Sequence, residues 1–378
     1  FERYNFTVVE SSRFDEEVAV DPEMLGMVYE RLVNVTFESG DTIGEEDLRG
    51  TAGIFYTPRT EIDLMCRLAL ADWLGNHIKA CDRTLLYQWV FAFSEEEKQE
   101  TCEASTQHSL WNSLDELVRR VRVCDPACGS GSFLVGMMLV LDDLQDRCNR
   151  TLDRSETPYE RRKRILQDQL YGVDVMEWAV RVAELRLWLQ LVVETELQWW
   201  EMKARPLLPN LNLKLRPGDS LLQTLGDLDL SPFRRGELSI PAYLKGRLTQ
   251  LVGKKRRFFQ GEERGLTEEM LRKEERDLFR DILTHRIHAL QNTLIQKRNQ
   301  LRSLHVQAPL PGMPAPPPDV NLQRRLEEEI REREEELERF QQAWEVLTPD
   351  RPPPFVWDMA FVEIFEDENP GFDIVIGN

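Results

Sequence analysis

The chain has 378 residues, a formal charge of −19 at pH 7 and 41% apolar residues. This length allows two or three domains with a sizeable core, and no apolar run approaches the roughly 20 residues of a membrane-spanning helix. The six cysteines form no CxxC pair, and no secretory signal follows Phe1. We therefore expect a cytoplasmic protein with reduced thiols and no metal site.

The N-terminal region, residues 1–105, is predicted to be helical. Asp21-Pro22 marks the start of one amphipathic helix, with an N-cap residue followed by proline in the first turn. A second helix follows the segment GIFYTP (Gly53 to Pro58), and its apolar stripe is predicted to be Ile62, Met65, Leu68 and Leu70.

Residues 106–243 alternate between strand and helix patterns. Predicted strands lie at VRVC, at LYGVDV and within LNLKLRPGDSLL, and helices separate them. This alternation favours an α/β fold with a Rossmann-like, mainly parallel sheet. The last segment, residues 348–378, ends in FDIVIGN, which is typical of a further buried strand of the same sheet.

Residues 244–347 are predicted to be a helical insertion in this core. The proline-rich stretch at residues 308–319 interrupts two long helical patterns, because each proline removes a backbone donor. An antiparallel helical hairpin is the expected result. The basic run Lys254, Lys255, Arg256 and Arg257 is either a solvated helix face, the commoner case, or a patch that contacts nucleic-acid phosphates.

The densest chemical signal is the segment DPACGSGSFL, which follows the first predicted core strand. Gly129 and Gly131 would let the backbone pass close beneath a ligand, next to the free N–H groups of a helix N-terminus. A dinucleotide fingerprint would need a third glycine where Leu134 stands. The loop therefore favours a nucleoside-like ligand with a zwitterionic tail over a pyrophosphate.

DPACGSGSFL resembles the first cofactor motif of the amino-group DNA methyltransferases, which bind S-adenosylmethionine. Segments similar to other motifs of their gamma class occur in the expected order: GIFYTP, GVDVMEWAVRVAELRLWL, GDSLL and FDIVIGN. The stretches VAVDPEMLGMVYERLV and PFVWDMAFVEIF resemble parts of long adenine methyltransferases. Such enzymes occur in type II restriction–modification and in BREX and DISARM phage-defence systems.

The resemblance implies roles for individual residues. GIFYTP would lie against the methionine end of the cofactor, Asp174 would bind the ribose hydroxyls and Asp219 would accept from the adenine amine. The implied cofactor-binding set is Tyr56, Thr57, Pro58, Asp125, Ala127, Gly129, Gly131, Phe133, Asp174, Val175, Asp219, Ser220 and Leu222.

The implied reaction is methyl transfer to N6 of an adenine flipped out of double-stranded DNA. Asn378 would begin the motif Asn-Pro-Pro-Tyr or Asn-Pro-Pro-Phe, and its amide oxygen would accept from the target amine. Because the chain ends at this residue, we expect a fragment that binds S-adenosylmethionine but is inactive alone. Defence-system subunits are possible partners.

Each of these residues also has a purely structural interpretation. Asp125 or Thr57 could cap a helix, Asp174 and Asp219 could be turn residues, and Phe133 could belong to the core. Two other functions stay open. One is an NAD-dependent oxidoreductase, although Asp174 lies too far past Gly131 for that fingerprint. The other is a non-catalytic scaffold with a vestigial pocket.

Overall fold

The computed structural model describes residues 57–78, 81–104, 108–193, 211, 213–222, 224–225, 228–229, 241–260, 265–305, 320–348, 355–365 and 369–378. Tyr56, the predicted helix after Asp21-Pro22 and the proline-rich stretch lie outside these residues. The chain divides into two compact units. The first contains Phe1–Leu221, Arg256–Gly265 and Asp367–Asn378, and the second contains Leu222–Lys255 and Leu266–Glu366.

The elements are labelled in chain order. The helices are α1 (Arg59–His77), α2 (Arg83–Val90), α3 (Glu95–Ala104), α4 (His108–Arg120), α5 (Ser132–Thr151), α6 (Pro158–Asp168), α7 (Glu177–Val193), α8 (Ala242–Gln260), α9 (Glu268–His305), α10 (Val320–Val346), α11 (Trp357–Ala360) and α12 (Val362–Phe365). The strands are β1 (Val123–Asp125), β2 (Leu170–Asp174), β3 (Leu215–Pro217), β4 (Thr224–Leu225), β5 (Leu228–Asp229) and β6 (Ile374–Val375).

The first unit contains a parallel sheet with the strand order β3-β2-β1-β6. Val123 of β1 lies opposite Leu170 of β2 and Ile374 of β6. Because every described strand of this sheet runs in the same direction, all four carboxyl ends meet at one edge. The predicted parallel α/β sheet is thus confirmed, and the segment FDIVIGN does supply one of its strands.

Helix α5 is the centre of the hydrophobic core. Its residues Leu134, Met137, Met138 and Leu141 are fully buried, and they share one cluster with side chains from α1, α2, α4, α6, α7 and the sheet. Helix α1 approaches α5 closely at Gly136, where an added Cβ would lie 2.4 Å from Cγ2 of Ile62. The described part of residues 1–105 therefore shares one hydrophobic cluster with the sheet.

The predicted apolar stripe of α1 is partly wrong. Met65 and Leu68 are 39% and 40% exposed, whereas Cys66, Leu70 and Leu74 are fully buried. Small side chains such as Cys66 let α1 pack against α5, and this packing turns Met65 and Leu68 outward. The prediction from periodicity placed the larger apolar side chains in the stripe and left out small residues such as Cys66.

The second unit is built around helices α9 and α10. Their ion pairs join Arg286 to Glu336 and Lys297 to Glu329, so residue numbers rise along one helix as they fall along the other. The two helices therefore run antiparallel. An apolar cluster that includes Leu283 and Phe340 fills the space between them and the short antiparallel pair β4–β5.

None of the helices in the described ranges combines the length and the apolar character needed to cross a bilayer.

We expect the substitution Leu141→Ala to lower the free energy of unfolding by about 2–5 kcal/mol, because it leaves a cavity in the centre of the core. Leu64→Ala on α1 is the matched control, since Leu64 is 50% exposed and its truncation should change stability by less than about 0.5 kcal/mol. Urea denaturation followed by circular dichroism measures both. Equal losses would show that α5 is not the centre of the core.

Candidate functional site

The site lies at the carboxyl edge of the parallel sheet. Strand β1 ends at Asp125 and β2 ends at Asp174. Strand β6 ends at Val375, and Asn378 follows three residues later. The backbone N–H of Gly218, just after β3, donates to the carbonyl of Asp174 at 2.8 Å. Four chain segments that are distant in sequence are thus brought to one edge, where open parallel sheets bind their ligands.

The glycine loop between β1 and α5 adopts a conformation that requires glycine at two positions. Gly129 and Gly131 have φ angles of +51° and +82°, in the left-handed region. A Cβ added to Gly129 would meet no atom of the described residues within 4 Å, so Gly129 borders open space in this part of the structure. A Cβ added to Gly131 would lie 2.8 Å from Cβ of Ala183 on α7. Gly131 therefore serves the packing of the loop on α7, whereas no such packing contact explains glycine at position 129 among the described residues.

Asp125 is a buried carboxylate with unused hydrogen-bonding capacity. It is 1% exposed, and its Oδ1 accepts from the backbone N–H of Ala127 at 3.1 Å. Its Oδ2 has no hydrogen-bond partner among the described residues. Burial, together with the nearby charge of Asp174, raises the pKa of Asp125 to about 7. Asp125 does not cap α5, because the N-cap position of that helix is Gly131.

The carboxylate of Asp174 connects two loops. Its Oδ2 accepts from the N–H of Gly129 at 2.9 Å, and its Oδ1 accepts from the N–H of Met176 at 2.8 Å. Asp174 is therefore both a turn residue and an anchor of the glycine loop. The next residue, Val175, is 66% exposed and offers an apolar surface beside this carboxylate.

Asn378 forms a hydrogen bond with Thr57, although the two residues lie 321 positions apart in the sequence. The amide Nδ2 of Asn378 donates to Oγ1 of Thr57 at 3.2 Å. Thr57 precedes α1, whose N-cap is Pro58 without a side-chain hydrogen bond, so Thr57 is not a helix cap. The structure thus places the end of GIFYTP next to the end of FDIVIGN.

The third acidic segment forms a turn beyond β3. Asp219 is half-buried, and its Oδ1 accepts from the N–H of Leu221 at 2.9 Å. Because Gly218 is bonded to Asp174, Asp219 lies at the same edge of the sheet. Ser220 is half-buried beside it, whereas Leu222 is 66% exposed and falls in the second unit.

Two other residues of the predicted cofactor-binding set are Phe133 and Ala127. Phe133 is 5% exposed and belongs to the main hydrophobic cluster, which favours its interpretation as a core residue. Ala127 is exposed at the start of the glycine loop, where its N–H contacts Asp125.

The basic run does not form one solvated patch, and the burial of Lys255 argues against a contact of this residue with nucleic-acid phosphates. Lys255 is fully buried, with Nζ 2.7 Å from Oε1 of Glu275 and 2.8 Å from the carbonyl oxygen of Ala360. Lys254 forms an ion pair with Glu274 at 2.7 Å. Arg256 and Arg257 are exposed.

Sequence reasoning missed Arg186, a 4% exposed residue of α7. Its Nη1 lies 2.9 Å from the carbonyl oxygen of Ser130, from Oγ of Ser130 and from Oγ of Ser132. An arginine within the apolar segment AELRLWL was the available signal, since a cation in such a segment needs a buried partner.

Two family models of restriction–modification methyltransferases match this chain. The family model of the MmeI DNA-methyltransferase domain matches residues 98–215, and that of the Eco57I restriction-modification methylase matches residues 168–378. A protein of Methanocaldococcus jannaschii, named as a type II restriction enzyme and methyltransferase, is 32% identical over 223 residues. That alignment covers 58% of this chain but 18% of the relative, so the chain spans only a small part of the relative's length.

These matches confirm the resemblance to the DNA methyltransferases of restriction–modification systems that the ordered motifs indicate. The second model alone spans more than half of the chain. The chain belongs to the Eco57I family of restriction–modification methylases.

Proposed function

We propose that this chain binds S-adenosylmethionine and carries the catalytic asparagine of a DNA methyltransferase that acts on N6 of adenine. The observation that supports this most strongly is the arrangement at one sheet edge. Among the described residues, one oxygen of the buried Asp125 carboxylate has no hydrogen-bond partner and Gly129 borders open space, and both lie there with Asp174 and Asn378.

The chemistry of S-adenosylmethionine fits these groups. The cofactor is a nucleoside whose methionine end carries positive charge, and it supplies an activated methyl group when bound. Asp125 Oδ2 offers a negative acceptor for that end, and the space above Gly129 leaves room for the ligand. Asp174 would hold the ribose hydroxyls, while Val175 would pack on the adenine ring and Asp219 would accept from the adenine amine.

Asn378 is proposed as the catalytic residue. The amine of adenine is a poor nucleophile because its lone pair is delocalised into the ring. Since Nδ2 of Asn378 donates to Thr57, Oδ1 is the atom directed to accept a hydrogen bond from the target amine. That hydrogen bond would favour a tetrahedral nitrogen, and the fixed position of the amide would contribute through preorganisation.

Two observations argue against a nicotinamide cofactor. The position of the third fingerprint glycine is Leu134, which is fully buried in the core. Asp174 bonds to the glycine loop directly, rather than standing alone at the end of its strand. Partner subunits of a defence system and the phage-defence role itself stay predictions from the resemblance.

The affinity for S-adenosylmethionine should fall as the pH drops through about 7, because protonated Asp125 no longer offers a negative acceptor. One linked proton limits this fall to about tenfold per pH unit. In Asp125→Asn the affinity should be lower at pH 8, and this part of the pH dependence should disappear. Calorimetric titration between pH 6 and pH 8.5 measures both effects, with NAD as a ligand that should not bind.

Two variants are compared with the wild-type chain in this titration. The amine of the ligand also titrates near pH 8, so the difference between the wild-type chain and Asp125→Asn isolates the carboxyl group. Asp373→Asn is the matched control, since Asp373 accepts from the N–H of Arg122 at the start of β6, away from the carboxyl edge. An unchanged affinity in Asp125→Asn would contradict the proposed role of Asp125.

In the intact enzyme, Asn378→Ala should lower the rate of methyl transfer to DNA by about 10²–10³-fold, because a preorganised hydrogen bond to the reacting amine is lost. Affinity for S-adenosylmethionine should be retained. Transfer of labelled methyl groups measures the rate, and nucleoside analysis of the product should show N6-methyladenine.

Asn76→Ala, at an exposed position of α1, is the matched control and should keep the wild-type rate. Methylation of cytosine instead of adenine would contradict the proposed target. Full activity of Asn378→Ala would contradict the proposed catalytic role.

Arg256 and Arg257 remain candidates for phosphate contact because both are exposed. Replacing both by glutamine should reduce the slope of log K against log salt concentration for DNA binding by about one to two. Arg331→Gln with Arg339→Gln, two exposed positions of α10, removes the same charge as a control. Fluorescence anisotropy over a salt series measures the slopes. Equal slopes for the Arg256–Arg257 double variant and the wild-type enzyme would show that these residues do not contact DNA phosphates.

A further inference from the structure

Arg186 is a buried cation next to the cofactor site that the proposed reaction does not use. It lies on α7, three residues after Ala183, and it is 4% exposed. Residues three apart share one face of a helix. Ala183 and Arg186 therefore both face the glycine loop, as their contacts with Gly131 and Ser130 show.

The contacts of Arg186 with the loop are polar and charged. Its Nη1 donates toward the carbonyl oxygen of Ser130 and toward the hydroxyl oxygens of Ser130 and Ser132, each at 2.9 Å. Ser130 is 6% exposed. Hydrogen bonds from an ionised donor are roughly twice as strong as neutral ones, and burial protects these from competition by water.

The contact of Ala183 is steric. Its Cβ would lie 2.8 Å from a Cβ at Gly131, so the backbone of the loop rests directly on α7 at this point. Together the two residues support the loop over Ser130 to Ser132, while Asp174 holds it at Gly129.

The loop needs such support because of its composition. Gly129 and Gly131 both have positive φ angles, and glycine loses more conformational entropy than any other residue when it is fixed. A loop that contains two glycines would otherwise sample many conformations, and a ligand would have to restrict them on binding. A loop fixed in advance lets the ligand bind without that cost.

We propose that Arg186 is a positioning residue of the cofactor site. It holds the segment from Gly129 to Ser132 in the conformation that binds S-adenosylmethionine, and so couples helix α7, which follows Asp174, to the glycine loop. This inference rests on the proposed function, since it assigns the loop to that cofactor.

A role in fold stability alone makes a different prediction. In that case, removal of Arg186 would lower stability as removal of any buried arginine does, without a specific effect on the loop or on cofactor affinity. Arg162 is the matched control: it is 7% exposed, and it bonds Asp142 at 2.8 Å and the carbonyl oxygen of Gln190 at 3.1 Å, away from the loop.

The experiment compares the wild-type chain with Arg186→Met, Arg186→Lys and Arg162→Met. Hydrogen–deuterium exchange of the ligand-free chain reports on the amides of residues 128–132, calorimetry gives the Kd for S-adenosylmethionine, and thermal denaturation gives the Tm. Arg186→Met should speed exchange in the loop and raise the Kd about tenfold. Arg186→Lys should recover part of the affinity, because it keeps a charged donor.

Arg162→Met should lower the Tm but leave loop exchange and Kd at wild-type values. The inference is overturned if Arg186→Met has wild-type loop exchange or a wild-type Kd, or if Arg162→Met raises the Kd as much. Should Arg186→Met fail to fold, Ser130→Ala with Ser132→Ala removes both hydroxyl acceptors and must raise the Kd severalfold. A wild-type chain that does not bind S-adenosylmethionine would contradict the proposed function itself, which is a distinct result.

Discussion

Parallel pairing of β1 with its two neighbours is the constraint on which the site depends. It brings the ends of strands that lie up to 251 positions apart to one edge, so that Asp125, Asp174 and Asn378 become neighbours. Backbone hydrogen bonds set the register of β6: the N–H groups of Asp373 and Ile374 donate to the carbonyl oxygen of Arg122, and the N–H of Ile376 donates to that of Cys124. Without this register none of the three side chains would be near the others.

The electrostatics of the edge suit a cationic ligand. Burying a carboxylate without a counter-charge is unfavourable, and the raised pKa of Asp125 reflects that cost. The charge of Asp174 nearby adds to it. A ligand that brings positive charge to this edge would relieve both effects, whereas a pyrophosphate would increase them.

The sequence predicted the ends of β1 and β2 well, because an apolar run that leads into aspartate and a turn is typical of a buried strand. It predicted side-chain environments less well. Met65 and Leu68 turned out to be exposed since α1 packs through small residues. The burial of Lys255 depends on Glu275 and Ala360, which are 20 and 105 positions away, and no local pattern reveals such partners. Arg186 was missed for the same reason: its acceptors precede it by more than 50 positions.

We propose that Asp125, Asp174, Asp219 and the open side of Gly129 surround one binding site for S-adenosylmethionine. A crystal structure of the chain grown with that ligand tests it most directly. We expect ligand density at the carboxyl edge of the sheet, with the methionine end beside Asp125 and the ribose beside Asp174. Density for the ligand elsewhere, or an empty edge at saturating ligand concentration, would contradict it.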